Sequence, residues 1–129
     1  MFTLSIQKES LFSYLTKQLG VFFPDDHNDF SSLNKCWEMI LERTEYCFSK
    51  IHGKYFYDEN GPIFNHLNGD HYSMFLYFAS NTLFRSRADT SLCDKIFQLN
   101  RLLHGIDAYY VVELPDIFLF SHPLGTVLG

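Results

Sequence analysis

The sequence contains no long apolar run, no paired-cysteine spacing and no basic cluster, and each absence removes a class of function. No stretch approaches the roughly 18 uninterrupted apolar residues of a membrane span, and the opening MFTLSIQKES meets a lysine and a glutamate before a signal-like core can form. The three cysteines, Cys36, Cys47 and Cys93, are odd in number, lack a CxxC spacing and sit within apolar helical patterns. They read as buried free thiols in a reducing cytoplasm. A net charge of -5 without clustered Lys and Arg excludes a general nucleic-acid binder, which must neutralise backbone phosphates.

Charge is scarce too, at 19% of residues, while hydrophobic residues make up 47% and include 14 Phe and 8 Tyr, a composition that excludes disorder over most of the chain. At 129 residues there is material for one compact core burying roughly two thirds of the unfolded surface.

The pattern along the chain is helical for most of its length. Ile6, Leu11, Phe12, Tyr14 and Leu15 form a stripe over Ser5 to Gln18, with Gly20 as a stop before Pro24. After the polar turn PDDHND, Ser31 or Ser32 is placed to cap a long helix running to about Ile51. Its stripe is Leu33, Trp37, Ile40, Leu41, Cys47, Phe48 and Ile51, and Gly53 stands at the left-handed stop. Residues 54 to 69 mix aromatics with Asn-Gly-Pro turn chemistry and predict an ordered loop. A third helix is expected over Asp70 to Arg85, apolar nearly all round and therefore packed against neighbours or across a subunit interface. A fourth is expected over Thr90 to His104, capped by Asp89 and stopped at Gly105.

After Gly105 the helical period ends. AYYVV and IFLF read as short strands around Pro115. Apolar positions recur six apart, as Ala108, Leu114, Phe120 and Thr126 and as Ile106, Val112, Phe118 and Leu124, a spacing that ordinary strands also produce. The expected organisation is a mainly α protein with a helical domain at 1–105 and a distinct segment at 106–129.

Among six histidines, His27 lies in a polar turn, while His52 and His104 sit at helix ends, where an imidazolium beside the carbonyl end of the dipole is a sufficient explanation. His66 and His71 flank the turn at Asn68 to Asp70 and lack a third ligand for a metal, so no metal site is assigned. His122 differs. It follows IFLF and precedes Pro123, so it projects from a short corner, as a base must. Imidazole titrates near pH ~6.5, and its neutral form accepts a hydroxyl proton at neutral pH. A carboxylate must orient it, and Asp107 and Asp116 precede it by fifteen and six residues.

The terminal HPLGTVLG, preceded by Ile106 and Asp107, resembles the first coils of serine acetyltransferases of the hexapeptide-repeat acyltransferase superfamily. Asp107 falls on the family's first aspartate, His122 on its catalytic histidine, and Gly125 and Gly129 on the two glycines that follow. The run from Glu113 to Gly129 is similar to a divergent branch with the signature E-L-P-D-I-F-L-F-x-H-P-x-G-T-V-L-G. The region from Phe64 to His104 aligns in length with the family's last helices, and Tyr77 matches a tyrosine often seen there. Two departures stand out: the family's histidine and proline after the first aspartate are replaced by Ala108, Tyr109 and Tyr110, and the aspartate before the catalytic histidine is Ser121.

The resemblance implies a helical amino-terminal domain followed by the first strands of a left-handed parallel β-helix, cut at Gly129. It implies transfer of acetyl from the co-substrate acetyl-CoA to L-serine, giving O-acetyl-L-serine and CoA in cysteine biosynthesis, with His122 as general base and Asp107 fixing its tautomer. One acidic residue from the helical part, Asp58 or Asp70, would meet the acceptor's ammonium. The acetyl-CoA cleft, the trimer contacts and later substrate residues would lie mostly beyond Gly129, so these 129 residues alone are expected to be inactive. A homo-oligomer is implied, a trimer or a dimer of trimers. Two other functions stay open: a helical association module without catalysis, using an aromatic surface on Phe75, Phe78 and Phe84, and an O-acetyltransferase acting on a sugar hydroxyl.

Overall fold

A computed structural model describes all 129 residues. Four helices carry the fold: α1 (Lys8–Phe22), α2 (Ser31–Ser49), α3 (Gly69–Arg85) and α4 (Thr90–His104). Five short strands accompany them: β1 (Thr3–Leu4), β2 (Tyr57–Asp58), β3 (Gly61–Phe64), β4 (Asp107–Ala108) and β5 (Val127–Leu128). The chain is mainly helical, with few and short strands, and the strand pairing near its end is the two-residue pairing of β4 with β5.

α3 is the axis of the molecule. Residues His71 to Leu83 are all buried, and α2 and α4 flank the helix while α1 packs on α4. The all-round apolar pattern of α3 is thus satisfied inside one chain. This corrects the expectation of an aromatic docking surface: Phe75 and Phe78 are 0% and 1% exposed, and Phe84 is partly buried against the same core. Trp37 of α2 stands edge-on to Phe75, with ring centroids 5.6 Å apart, and Phe12 of α1 stands edge-on to Trp37 at 5.1 Å.

The helix boundaries follow local chemistry, with instructive shifts. α4 runs as its caps dictate: Asp89 accepts from the Ser91 N–H at 2.9 Å, and Gly105 closes it in the left-handed region at φ 63°. α1 starts later than its stripe suggests and continues through Gly20 to Phe22, because Leu19 is buried and the helix is still bonded when Phe23 N–H reaches the Leu19 carbonyl; Pro24 stops it. At α2 neither serine caps the helix; Asp29 accepts the Ser31 N–H at 2.9 Å instead. The helix ends at Ser49, before Gly53. The polar turn between α1 and α2 is tied to α4 by Lys95, whose ammonium donates to Asp25 at 2.6 Å and to the His27 carbonyl at 2.7 Å.

Residues 54–69 are more ordered than a loop. β2 and β3 form a hairpin in which Tyr57 faces Pro62 and Asp58 faces Gly61, and β1 adds in parallel on the other edge of β3. Gly61 is obligatory here: at φ 119° a side chain is strained, and a Cβ would sit 2.9 Å from the Met1 carbonyl oxygen.

Beyond Ala108, which closes β4, AYYVV is not a strand, and neither is IFLF. The Tyr109 N–H still reaches the Leu128 carbonyl at 3.1 Å, but several of the polar backbone groups beyond it are met by side chains from the helices rather than by a ladder. The Tyr77 hydroxyl donates to the Val112 carbonyl at 2.5 Å and accepts the Leu114 N–H at 2.9 Å. Asn81 donates to the Tyr110 carbonyl at 2.8 Å, and the Cys47 thiol both donates to the Phe118 carbonyl and accepts its N–H, at 3.2 and 3.4 Å. Once those groups are paired, nothing favours an extended ladder. Ile106, Ala108, Tyr110 and Phe120 belong to the same core cluster as the helices, so segment 106–129 is laid over α3 and α4. It returns upon itself once: β4 and β5 pair in parallel, Asp107 opposite Val127 and Ala108 opposite Leu128.

Candidate functional site

The corner that carries His122 is built in three steps. The segment approaching it is fixed by Cys47 at Phe118 and by burial of Phe120. His122 then adopts φ 50°, a left-handed conformation rare for a residue with a Cβ and doubly restricted before Pro123. Finally, its backbone N–H donates to Asp70 Oδ1 at 3.1 Å, across 52 residues of sequence. The first turn of α3 that presents Asp70 is itself fixed, because the Asn68 side chain accepts from the N–H groups of Asp70 and His71 at 3.0 and 3.3 Å.

His122 faces a cleft of about 570 Å³ between the end of α2, the start of α3 and the corner. Its chemistry-bearing walls are His52, Tyr55, Asn68, Asp70 and Ser121, with Ile51, Phe56 and Leu119 as the apolar part. No lysine or arginine lines it. His52 and Tyr55 are the residues that sequence reasoning missed, since neither lies in a motif and a position after a helix end looks like any loop.

Asp107 is placed elsewhere. It opens β4, its carboxylate lies 3.7 Å from Arg101 Nε, and it borders a second cleft of about 560 Å³ together with Phe23, Arg101, Leu102 and Val127. No hydrogen bond joins it to His122, so the structure pairs His122 with Asp70 and Asp107 with Arg101. Asp58 is in neither cleft; exposed at the end of β2, it accepts the Asn60 N–H at 2.8 Å and shapes the hairpin turn. Asp116 lies in a third recess with Arg43, Arg85 and Phe78.

Three further histidines are engaged structurally. His66 Nδ1 meets the Ser5 hydroxyl at 2.7 Å. His71 is 1% exposed among Phe48, Phe56 and Phe64, and its Nδ1 accepts the Asn65 N–H at 3.0 Å, which puts the proton on Nε2, where it has no partner. Burial pushes His71 down to about 4, against the opposing pull of the Tyr55 carbonyl and the Asp70 carboxylate. His104 corrects a sequence expectation: rather than a solvated imidazolium at a helix end, it is pushed downward by burial, with Asp70 opposing, and its Nδ1 is paired with Asn100 at 2.7 Å.

The three thiols are unpaired, and burial raises both Cys47 and Cys93, the latter to about 11, so neither is a ready nucleophile at neutral pH. Tyr77, singled out by the resemblance, is a buried strut for residues 112–114 and does not line the His122 cleft. No helix is long and apolar enough to cross a membrane. Comparison with protein-family models, with curated proteins and with solved structures returns no match.

Proposed function

We propose that this chain carries the general base of an acetyl-CoA-dependent serine O-acetyltransferase, and that the base is His122. The observation that carries the proposal is the corner itself: a histidine held in a costly left-handed conformation at the mouth of a mixed polar and apolar cleft, with its ring side exposed. Such strain persists where surrounding contacts over-determine it, and a base requires that fixed projection. The parallel return of β4 on β5 lends support, because a chain that coils back beside itself is the geometry the resemblance calls for.

In this reading the neutral imidazole takes the proton of the serine hydroxyl as its oxygen attacks the thioester carbon of acetyl-CoA. The tetrahedral intermediate collapses by breaking the carbon–sulfur bond, and the imidazolium returns its proton to the departing CoA sulfur. In the same reading Asp107 orients the ring, which requires it to leave Arg101 and the segment to bring the two residues together; the ion pair lost, half exposed to water, is worth under about 1 kcal/mol. Left-handed β-helical coils, a trimeric or doubly trimeric assembly and a cytoplasmic setting belong to the same proposal.

A sugar hydroxyl is the second acceptor to test, favoured by one feature of the cleft. Tyr55, 63% exposed at its rim, offers an aromatic ring with one face under the Lys54 ammonium, 5.2 Å from the ring centroid, and the lining of the cleft itself holds no cationic side chain to meet an amino-acid carboxylate. The intact protein that contains these residues, supplied with acetyl-CoA and either L-serine or a panel of glycosides, decides between them by mass-spectrometric identification of the acetylated product. O-acetylserine is the expected product. An acetylated glycoside with no acetylated serine would replace the first reading by the second, and hydrolysis or no turnover with either would remove both.

A further inference from the structure

We infer that Asp70 is a positioning residue for His122, acting through the backbone rather than on the substrate. This rests on His122 being the base, and it departs from assigning Asp70 to the acceptor's ammonium. The Asp70 carboxylate takes the His122 N–H at 3.1 Å, the one hydrogen bond that joins the corner residue to the helical part of the molecule. His122 needs such a tie. Its φ of 50° is unfavourable for any residue with a Cβ, the following Pro123 narrows its choices further, and the residue is solvent-exposed, so packing alone does not hold it.

Asp70 is suited to the task because its own place is set twice. Asn68 holds the first turn of α3 from the front, and the Ser73 hydroxyl donates to the Asp70 carbonyl at 2.9 Å from behind. His71, next in sequence, is fixed in the core. The corner is therefore referenced to the most deeply buried helix of the fold. A carboxylate accepting a backbone N–H makes a stronger bond than a neutral acceptor, and it withdraws one polar group that a relaxed corner would turn to water.

The assignment has a signature independent of catalysis. In the 129-residue chain, NMR should show a scalar coupling across the hydrogen bond between the His122 amide nitrogen and the Asp70 side-chain carboxyl carbon, and Asp70→Ala should abolish it. Amide hydrogen exchange at His122 should accelerate about tenfold or more in Asp70→Ala and stay within about threefold of wild type in Asp70→Asn, which keeps an acceptor oxygen in place. Unchanged exchange in Asp70→Ala, or no such coupling in the wild-type chain, would overturn the assignment. If Asp70→Ala does not fold, the coupling measured in wild type still decides.

In the intact protein, Asp70→Ala should lower kcat by about tenfold to a hundredfold at an unchanged KM for the acceptor, and Asp70→Asn should restore most of it. A raised acceptor KM in both variants would show that Asp70 binds substrate and would overturn the proposal. An activity indifferent to His122→Ala would remove the base reading and with it the catalytic use of the corner, whereas the amide result is decided by Asp70 alone.

Discussion

The helical part of the molecule and the segment from Ile106 to Gly129 are held by different means. In the helices, backbone groups pair with neighbours four residues away and the side chains are left free to build a core. In the segment, backbone groups at Tyr110, Val112, Leu114 and Phe118 pair with Asn81, Tyr77 and Cys47, side chains that the helices lend out of their own core. One region is self-supporting in its hydrogen bonding; the other, outside the β4–β5 pairing and its local turns, is borrowed. A borrowed segment takes conformations its own sequence does not favour, such as the left-handed backbone of His122.

The largest expected effect removes the comparison altogether. Phe75 is fully buried at the meeting of Trp37, Phe64 and Tyr72. Phe75→Ala should destabilise the chain by about 4 kcal/mol and unfold both regions in one transition, as measured by chemical denaturation followed at far-ultraviolet and aromatic wavelengths.

Next in size is a pH effect that belongs to the helical side. The folded state holds His71 neutral down to about 4, whereas the unfolded chain takes the proton below about 6.5. Stability is therefore complete above that value and falls as pH drops from about 6.5 to 4, by about 2 to 3 kcal/mol, with His104 adding in the same direction. Denaturation midpoints across that range should show the slope, and His71→Asn, which keeps an acceptor for the Asn65 N–H, should reduce it.

Tyr77→Phe sharpens the contrast. Losing one hydroxyl strands the Val112 carbonyl and the Leu114 N–H together, for about 2 kcal/mol. Hydrogen exchange should quicken first in residues 110–118 while α3 and α4 keep their protection, a local opening rather than a global one. Gly105→Ala tests the joint between the regions and should cost about 1 kcal/mol: the residue sits at φ 63°, and an added Cβ would come 3.0 Å from a Leu124 methyl group. A thermal shift of a few degrees is the readout.

The same contrast explains how much was legible in the sequence. α4 was legible to the residue because Asp89 and Gly105 are local signals, and the buried stripe of α2 from Leu33 to Phe48 followed from periodicity. IFLF and AYYVV misled because strand propensity assumes a ladder partner, and here the partners are a thiol, a phenol and an amide 29 to 71 residues away. Phe75 and Phe78 were misplaced for a related reason: an all-round apolar helix has the same pattern whether its neighbours come from one chain or several.

At the site, His122 was singled out by its corner before Pro123 together with the resemblance of the terminal HPLGTVLG, and not by spacing alone. The contact with Asp70 and the cleft walls His52 and Tyr55 had no local signal, because each depends on how α2 and α3 end against each other. The separation of Asp107 from His122 was equally hidden, since Arg101 competes for the carboxylate from the preceding helix.

The account stands on His122 as the proton acceptor, and the most direct measurement is the rate of CoA release from acetyl-CoA in the presence of L-serine, comparing the intact protein with its His122→Ala variant. Loss of a general base predicts a fall of about a hundredfold to ten-thousandfold in kcat with the fold unchanged; a variant that turns over within a few-fold of wild type would contradict it.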